Sequence, residues 1–187
     1  MPFPKIHRLY RDIIITEKID GTSATIFIDK TDENNVVFLT GSRTQWITPE
    51  NDNHGFAKWA HEHRTELLTL GTGWHRGEWW GQGIQRNYGL TEKRWSLFNV
   101  SRYVPFESDT TDPKEIVVPR CVNIVPILYE GMFSQEAIER SLTELRDLGS
   151  YASSGFKKPE GVVIYHIPSS TSFKVTLERD DEPKGKR

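Results

Sequence analysis

The stretch "TEKIDGTSATIFI", residues 16–28, places a lysine two positions before an Asp-Gly pair, between two runs rich in β-branched residues. Asp-Gly between apolar runs is a strong hairpin signal. It predicts that "DIIITEKID" and "TSATIFID" are two strands meeting at Asp20-Gly21. A tight turn has no need of Lys18. Either Lys18 is a solvated strand residue beside a turn, or the turn presents its amine to a reactant. A free lysine, with a pKa of about 10.4, is almost all ammonium at neutral pH. A nucleophilic one needs desolvation or a neighbouring positive charge.

The surroundings are those of a globular chain. The 187 residues are 36% hydrophobic and 27% charged, enough for one domain with a real core. The net charge of −2 gives no global attraction to nucleic acid, so any polyanion grip must be local. Residues 76–102 concentrate Arg76, Arg86, Lys93, Arg94 and Arg102. The single cysteine, Cys121, excludes an internal disulfide and a thiolate-ligated zinc site. It points to a reducing, cytoplasmic setting. Cys121 lies in the apolar run "RCVNIVPIL" and is expected to pack in the core. No apolar run is long enough to cross a membrane. The opening "MPFPKIHRLY" lacks the apolar segment of a signal peptide, and the closing "DDEPKGKR" is expected to fray.

Further strands are expected in "NVVFLTGSR", "WHRGEWWGQG", "WSLFNVSRY", "VNIVPILYEG", "GVVIYHI" and "SFKVTLE". "GFAKWAHEHRTELLTL" reads as one helix. "SQEAIERSLTELRDLG" reads as another, capped by Ser134 and ended by Gly149. Many strands with two helices predict an α+β fold of mostly antiparallel sheet. His61 and His63, two apart on a helix, face different ways and make no metal pair.

Chemistry-bearing residues recur along the strands. "GSRT" ends a strand with Arg43. "GEWWG" sets Glu78 among glycines and aromatics. "SLFNV" offers Phe98, "EGVVI" begins with Glu160, and "FKVT" holds Lys174 inside a strand. Singly, each has a plainer reading: a solvated strand end, a core ring, a turn carboxylate, a strand lysine on the exposed face. In this order, however, they resemble the ordered motifs of the covalent nucleotidyltransferases, the polynucleotide ligases and mRNA capping enzymes. "EKIDGTSATI" and "GEWWGQGIQ" look most like the RNA ligase family, in the class that resembles double-strand RNA repair ligases. The resemblance spans about residues 16–178.

The resemblance implies one minimal adenylyltransferase domain over 1–187, ATP-grasp-like, of antiparallel sheets with flanking helices and no appended OB-fold. It implies an ATP-dependent RNA ligase with a lysine–AMP intermediate, joining 5′-phosphate to 3′-hydroxyl RNA ends in RNA repair. Lys18 is the implied nucleophile, helped by Lys174, with Glu160 beside a divalent metal, Mg2+ or Mn2+. Glu17, Asp20, Gly21, Ser23, Arg43, Glu78 and Phe98 are the implied nucleotide-binding residues. Glu78 suits a ribose hydroxyl, Phe98 the purine face, and Glu17 the adenine edge through its backbone. Arg76, Trp80, Arg86, Lys93 and Arg94 are the candidate nucleic-acid contacts; nicked duplex RNA, tRNA breaks and a partner chain supplying further grip are all compatible. For the Trp79–Trp80 pair, one ring is expected to face inward.

Three departures stand out. The family's strand lysine is often followed two places on by another; here that place is Thr176, with Lys184 or Lys186 as candidate substitutes. Phe98 is followed by Asn99 where Asp is usual. The appended domain used by DNA ligases and capping enzymes has no counterpart. A GTP-dependent capping-type enzyme, a DNA ligase, or a nucleotide- or RNA-binding module without turnover therefore remain open alternatives.

Overall fold

The structure, a computed structural model, describes residues 10–32 and 35–178. Along the chain, β1 (Asp12–Lys18), β2 (Thr22–Asp32), β3 (Asn35–Gly41) and β4 (Trp46–Ile47) precede helices α1 (Phe56–Glu62) and α2 (Arg64–Leu67). Then come β5 (Gly73–Gly81), β6 (Lys93–Leu97), β7 (Tyr103–Val104), β8 (Ile116–Val117) and β9 (Asn123–Ile124). β10 (Ile127–Met132), α3 (Gln135–Leu148), β11 (Gly161–His166) and β12 (Thr171–Thr176) complete the described elements. The fold is α+β and mostly antiparallel, as expected. It divides into two compact units, one from Met1–Ile19 and Val125–Arg187, the other from Asp20–Ile124.

The expected hairpin at Asp20-Gly21 does not form. β1 pairs with β10 and β11, whereas β2 pairs with β3 and β5. Asp20-Gly21 is where the chain passes from one unit to the other. Its glycine serves close approach instead of a tight turn. A Cβ on Gly21 would stand 2.5 Å from the Trp79 carbonyl oxygen and 2.8 Å from Trp80 Cβ. The other crossing explains a second difference. "VNIVPIL" was expected as one strand, but Pro126 lacks the N–H a ladder needs. The run splits into β9, parallel to β6, and β10 beside β1.

In the first unit the sheet order is β10-β1-β11-β12. Side chains alternate between its faces. Ile13, Ile15, Val162 and Ile164 face a core shared with Ala137, Ile138 and Leu145 of α3. That helix starts where Ser134 Oγ accepts from the Ala137 N–H at 3.2 Å and ends at Gly149, with φ +91°.

In the second unit the order is β4-β3-β2-β5-β6-β9. α1 and α2 cover one face, with Phe56, Trp79 and Trp95 wholly buried in the core and Cys121 packed at its edge. Burial pushes the Cys121 thiol up to about 11. The expected single helix over 55–70 is interrupted at His63, whose ring nitrogen lies 2.9 Å from the Trp59 carbonyl; α1, α2 and a short 3-10 turn share its length. His75 is a buried residue that sequence reasoning passed over. Its ring nitrogens meet the Tyr103 hydroxyl at 2.8 Å and the Gly71 carbonyl at 2.9 Å, and burial lowers its pKa to about 4.

Glu17 points to the core face of β1, 1% exposed. Its carboxylate accepts from Ser150 Oγ at 2.6 Å and from the N–H groups of Tyr151 and Ala152 at 2.8 and 2.9 Å. It thereby ties the loop after α3 to β1. Burial raises its pKa above the ordinary 4.5, against the opposing pull of those hydrogen bonds.

Two outcomes follow from this packing. Leu145→Ala, at a fully buried position, should cost about 2–5 kcal/mol in urea unfolding. Because folding raises the Glu17 pKa, that stabilisation is complete below about 4.5 and is lost as pH rises through the raised value. The stability of the native chain relative to Glu17→Gln should therefore fall as pH increases above that point. Parallel stability–pH curves for the two proteins would contradict the assignment.

Candidate active site

Lys18 closes β1 and lies opposite Gly161 of β11, which in turn lies opposite Thr176 of β12. Two residues along, Thr16, Val163 and Lys174 form the next row. Paired residues share a face, so Lys18, Lys174 and Thr176 all project from the face opposite the α3 core. The two lysines are two strands apart and two residues offset, roughly 10 Å across and 7 Å along. The residue between Lys18 and Thr176 is glycine for a steric reason. Gly161 has φ +152°, and a Cβ there would stand 2.1 Å from the Val175 carbonyl oxygen. The backbone of β12 fills the place a side chain would take, so only glycine fits beside Lys18.

Lys18 Nζ is ion-paired with Glu160 Oε2, and both side chains are mostly buried. Glu160 immediately precedes β11, and its carbonyl accepts from the Leu177 N–H at 2.9 Å. Two cations and a carboxylate thus lie on or beside one sheet face. Glu17 is on the other face, and its own N–H donates to the Pro126 carbonyl at 2.9 Å. An adenine contact through that N–H would have to displace an existing bond.

The second unit gathers the other candidates. Asp20 donates its N–H to Tyr88 Oη at 2.8 Å, and its carboxylate pairs with Arg86 Nε at 3.0 Å. The Gly21 N–H donates to Glu78 Oε1 at 3.1 Å. Ser23, Glu78 and Ser96 form one row across β2, β5 and β6. Phe98, 44% exposed, follows β6 and donates its N–H to the Arg76 carbonyl at 3.0 Å. Register places Phe98 on the same face as Glu78 and Arg76. Arg43 is exposed in the turn between β3 and β4.

One of the nucleic-acid candidates needs correction. Trp80 is 1% exposed, its indole N–H donates to Ser96 Oγ at 2.9 Å, and its ring packs edge-on against Tyr88. It offers no surface to a nucleic acid. Trp79 is buried on the other face, in the helix-covered core, and Trp80 is buried as well because Tyr88 covers it, which a two-residue alternation does not reveal. Arg86 holds Asp20, Arg94 holds Glu92 at 2.6 Å, and Lys93 Nζ donates to the His54 carbonyl at 2.7 Å. Arg76 lies over the Trp74 ring, 5.1 Å from its centre. Lys184 and Lys186 lie outside the described residues.

Among the described residues, no group of three or more His, Cys, Asp or Glu is placed to hold a metal ion, and no helix is long and apolar enough to cross a membrane. A hard divalent cation takes carboxylate oxygens together with water and phosphate oxygens, and a single carboxylate is compatible with that donor set. Glu160 is the residue placed to contribute it.

Comparison with known proteins bears on the family and the fold. A family model described as RNA ligase matches residues 11–176. No curated protein matches significantly. Among solved structures, a Naegleria gruberi RNA ligase variant with ATP and Mn has 21% identity and a TM-score of 0.59, covering 92% of this chain and 51% of that one. A variant with AMP and Mn has 22% identity and a TM-score of 0.59, covering 91% and 51%. The Naegleria gruberi RNA ligase with PPi has 21% identity and a TM-score of 0.58, covering 94% and 54%. The chain therefore spans about half the length of these structures, and at such identities the likeness is one of fold. The family match over nearly the whole chain carries the assignment: this protein belongs to the RNA ligase family.

Proposed function

We propose that this chain is the nucleotidyltransferase portion of an ATP-dependent RNA ligase, with Lys18 as its covalent nucleophile. The observation that carries the reading is the shared sheet face of Lys18 and Lys174, with Glu160 on Lys18. The ATP- and AMP-bound ligases of the same fold support the choice of nucleotide.

In the first step the neutral Lys18 amine attacks the α-phosphorus of ATP. A P–N bond forms, the bond to the oxygen bridging to the β-phosphate breaks, pyrophosphate leaves, and the amine proton goes to solvent. The ion pair with Glu160 holds Lys18 in place beforehand and must part before attack. A 5′-phosphate oxygen of RNA next attacks the adenylate phosphorus, the P–N bond breaks, and Lys18 leaves as the amine after its nitrogen takes a proton from solvent. A 3′-hydroxyl then attacks the activated 5′-phosphate, forming the phosphodiester and releasing AMP. Lys174 balances charge on the phosphates. Glu78 accepts from the ribose, Phe98 stacks on the purine, and Arg43 offers a permanent multi-donor cation to ribose or phosphate. Asp20, Gly21 and Ser23 shape the backbone beside Glu78. A divalent cation, Mg2+ or Mn2+, held by Glu160 with the phosphate oxygens would supply charge neutralisation. RNA ends in repair, at nicks or tRNA breaks, are the proposed substrates, and a reducing compartment such as the cytoplasm suits the single cysteine.

Incubation with radiolabelled ATP and a divalent cation should leave AMP on the native protein. Lys18→Ala should carry no label, and Lys174→Ala should be labelled more slowly by roughly a hundred-fold. Folded native protein that stays unlabelled contradicts the reading. Label from GTP in place of ATP would indicate a capping-type enzyme, and sealing of nicked DNA in preference to RNA would indicate a DNA ligase. Thr176, on the Lys18 face where a second lysine is usual, favours one other reading: a module that binds ATP without turnover. It predicts an ATP-induced rise in Tm with no covalent adduct.

A further inference from the structure

We propose that an aromatic shelf formed by exposed Trp46 and Trp74 with half-buried Phe27 binds the unpaired bases of an RNA strand. The proposal rests on the ligase reading for the identity of the strand, but on separate residues for its chemistry.

Two adjacent rows of the six-stranded sheet build the shelf. In one, Trp46, Gly41, Thr25 and Arg76 lie side by side across β4, β3, β2 and β5. In the next, Leu39, Phe27 and Trp74 do the same. Strand alternation puts both rows on one face, opposite the helix-covered core. The Trp46 and Trp74 rings stack at 5.5 Å and 24° although their strands are separated by β3 and β2. Trp46 reaches across because the residue beneath it has no side chain. A Cβ on Gly41 would come within 3.2 Å of Trp46 Cε3. Phe27 packs on Trp74 at 4.9 Å.

This apolar area is not core. Trp46 is 49% and Trp74 48% exposed. Large aromatic surface left on a sheet face marks an interaction site. Its setting selects a nucleic acid over an apolar peptide. The Arg76 guanidinium lies over Trp74, Arg43 sits in the turn leading to Trp46, and Arg102 donates to the Thr72 carbonyl at the start of β5. Asp29 is the acid one row beyond Phe27 on the same face. Flat rings interleaved with arginine are what a single strand needs, base faces on rings and phosphates on cations. The shelf is also continuous with the nucleotide residues. Trp74, Arg76 and Glu78 alternate along one face of β5, so Trp74 lies roughly 13 Å from Glu78.

The test uses the full chain, a fluorescein-labelled oligouridylate and anisotropy titration, with AMP labelling measured in parallel. Trp46→Ala/Trp74→Ala should raise Kd by roughly ten-fold or more while leaving AMP labelling unchanged. Trp46→Phe/Trp74→Phe, which keeps a stacking face, should stay within a few-fold of the native protein. Arg76→Ala should reduce the salt dependence of binding by about one unit of slope. Unchanged RNA affinity in the alanine pair overturns the proposal. So does equal loss in the phenylalanine pair, and so does a native dimer that the alanine pair converts to monomers without affecting RNA binding. Failure of AMP labelling in the native protein overturns the ligase reading instead, and leaves the RNA titration to decide the shelf.

Discussion

A strand turns successive side chains to opposite faces, and this protein uses both faces at one peptide bond. Glu17 goes down into the core and Lys18 comes up into the ion pair with Glu160. The two contacts constrain each other. Glu17 fixes the loop of residues 150–152 that follows α3, and the chain from that loop leads to Glu160. The strand bearing the lysine and the segment bearing its partner are thus tied together from below. Gly161 completes the arrangement by letting the backbone of the third strand come close beside Lys18. A flexible four-carbon side chain is a poor nucleophile unless something restricts it. Here restriction comes from register, a buried carboxylate and an absent Cβ.

Much of the site was legible in the sequence because motif chemistry is local. Lys18, Glu78, Glu160 and Lys174 could be read from their neighbours. The structure puts Lys18 and Lys174 on strands of one sheet with Glu160 just before the strand between them, and Glu78 against the Gly21 amide in the other unit. α3 was legible too, since its cap, apolar stripe and terminal glycine all agree. What failed was long-range pairing. Asp-Gly announced a hairpin, but β1 and β2 prefer different sheets, and the glycine was answering to the Trp79 carbonyl instead. Strand alternation predicts one of the Trp79 and Trp80 rings in and the other out. Both are buried because Tyr88, from a segment with five of the chain's positive-φ residues close by, covers the second. A sequence period reports which face a residue takes, not whether something later in the chain returns to cover it.

The same limit explains the arginines. Counting charge in residues 76–102 suggested a basic surface, yet Arg86 and Arg94 are paired with nearby carboxylates. Arg76, lying over an exposed indole, keeps a different company. A cation that is already matched adds little to polyanion binding, whereas one set among exposed rings adds to both stacking and charge. The grip on a strand is therefore better sought in how rings and arginines share a face than in how many arginines a segment contains.

The central claim is that the nitrogen held by Glu160 is the one that accepts the adenylate. Peptide mapping by mass spectrometry, after incubation with ATP and a divalent cation and digestion at neutral to alkaline pH, tests it most directly. The account predicts AMP on the peptide that contains Lys18 and on no other. Adenylate found on the peptide containing Lys174, or spread over surface lysines, would contradict it.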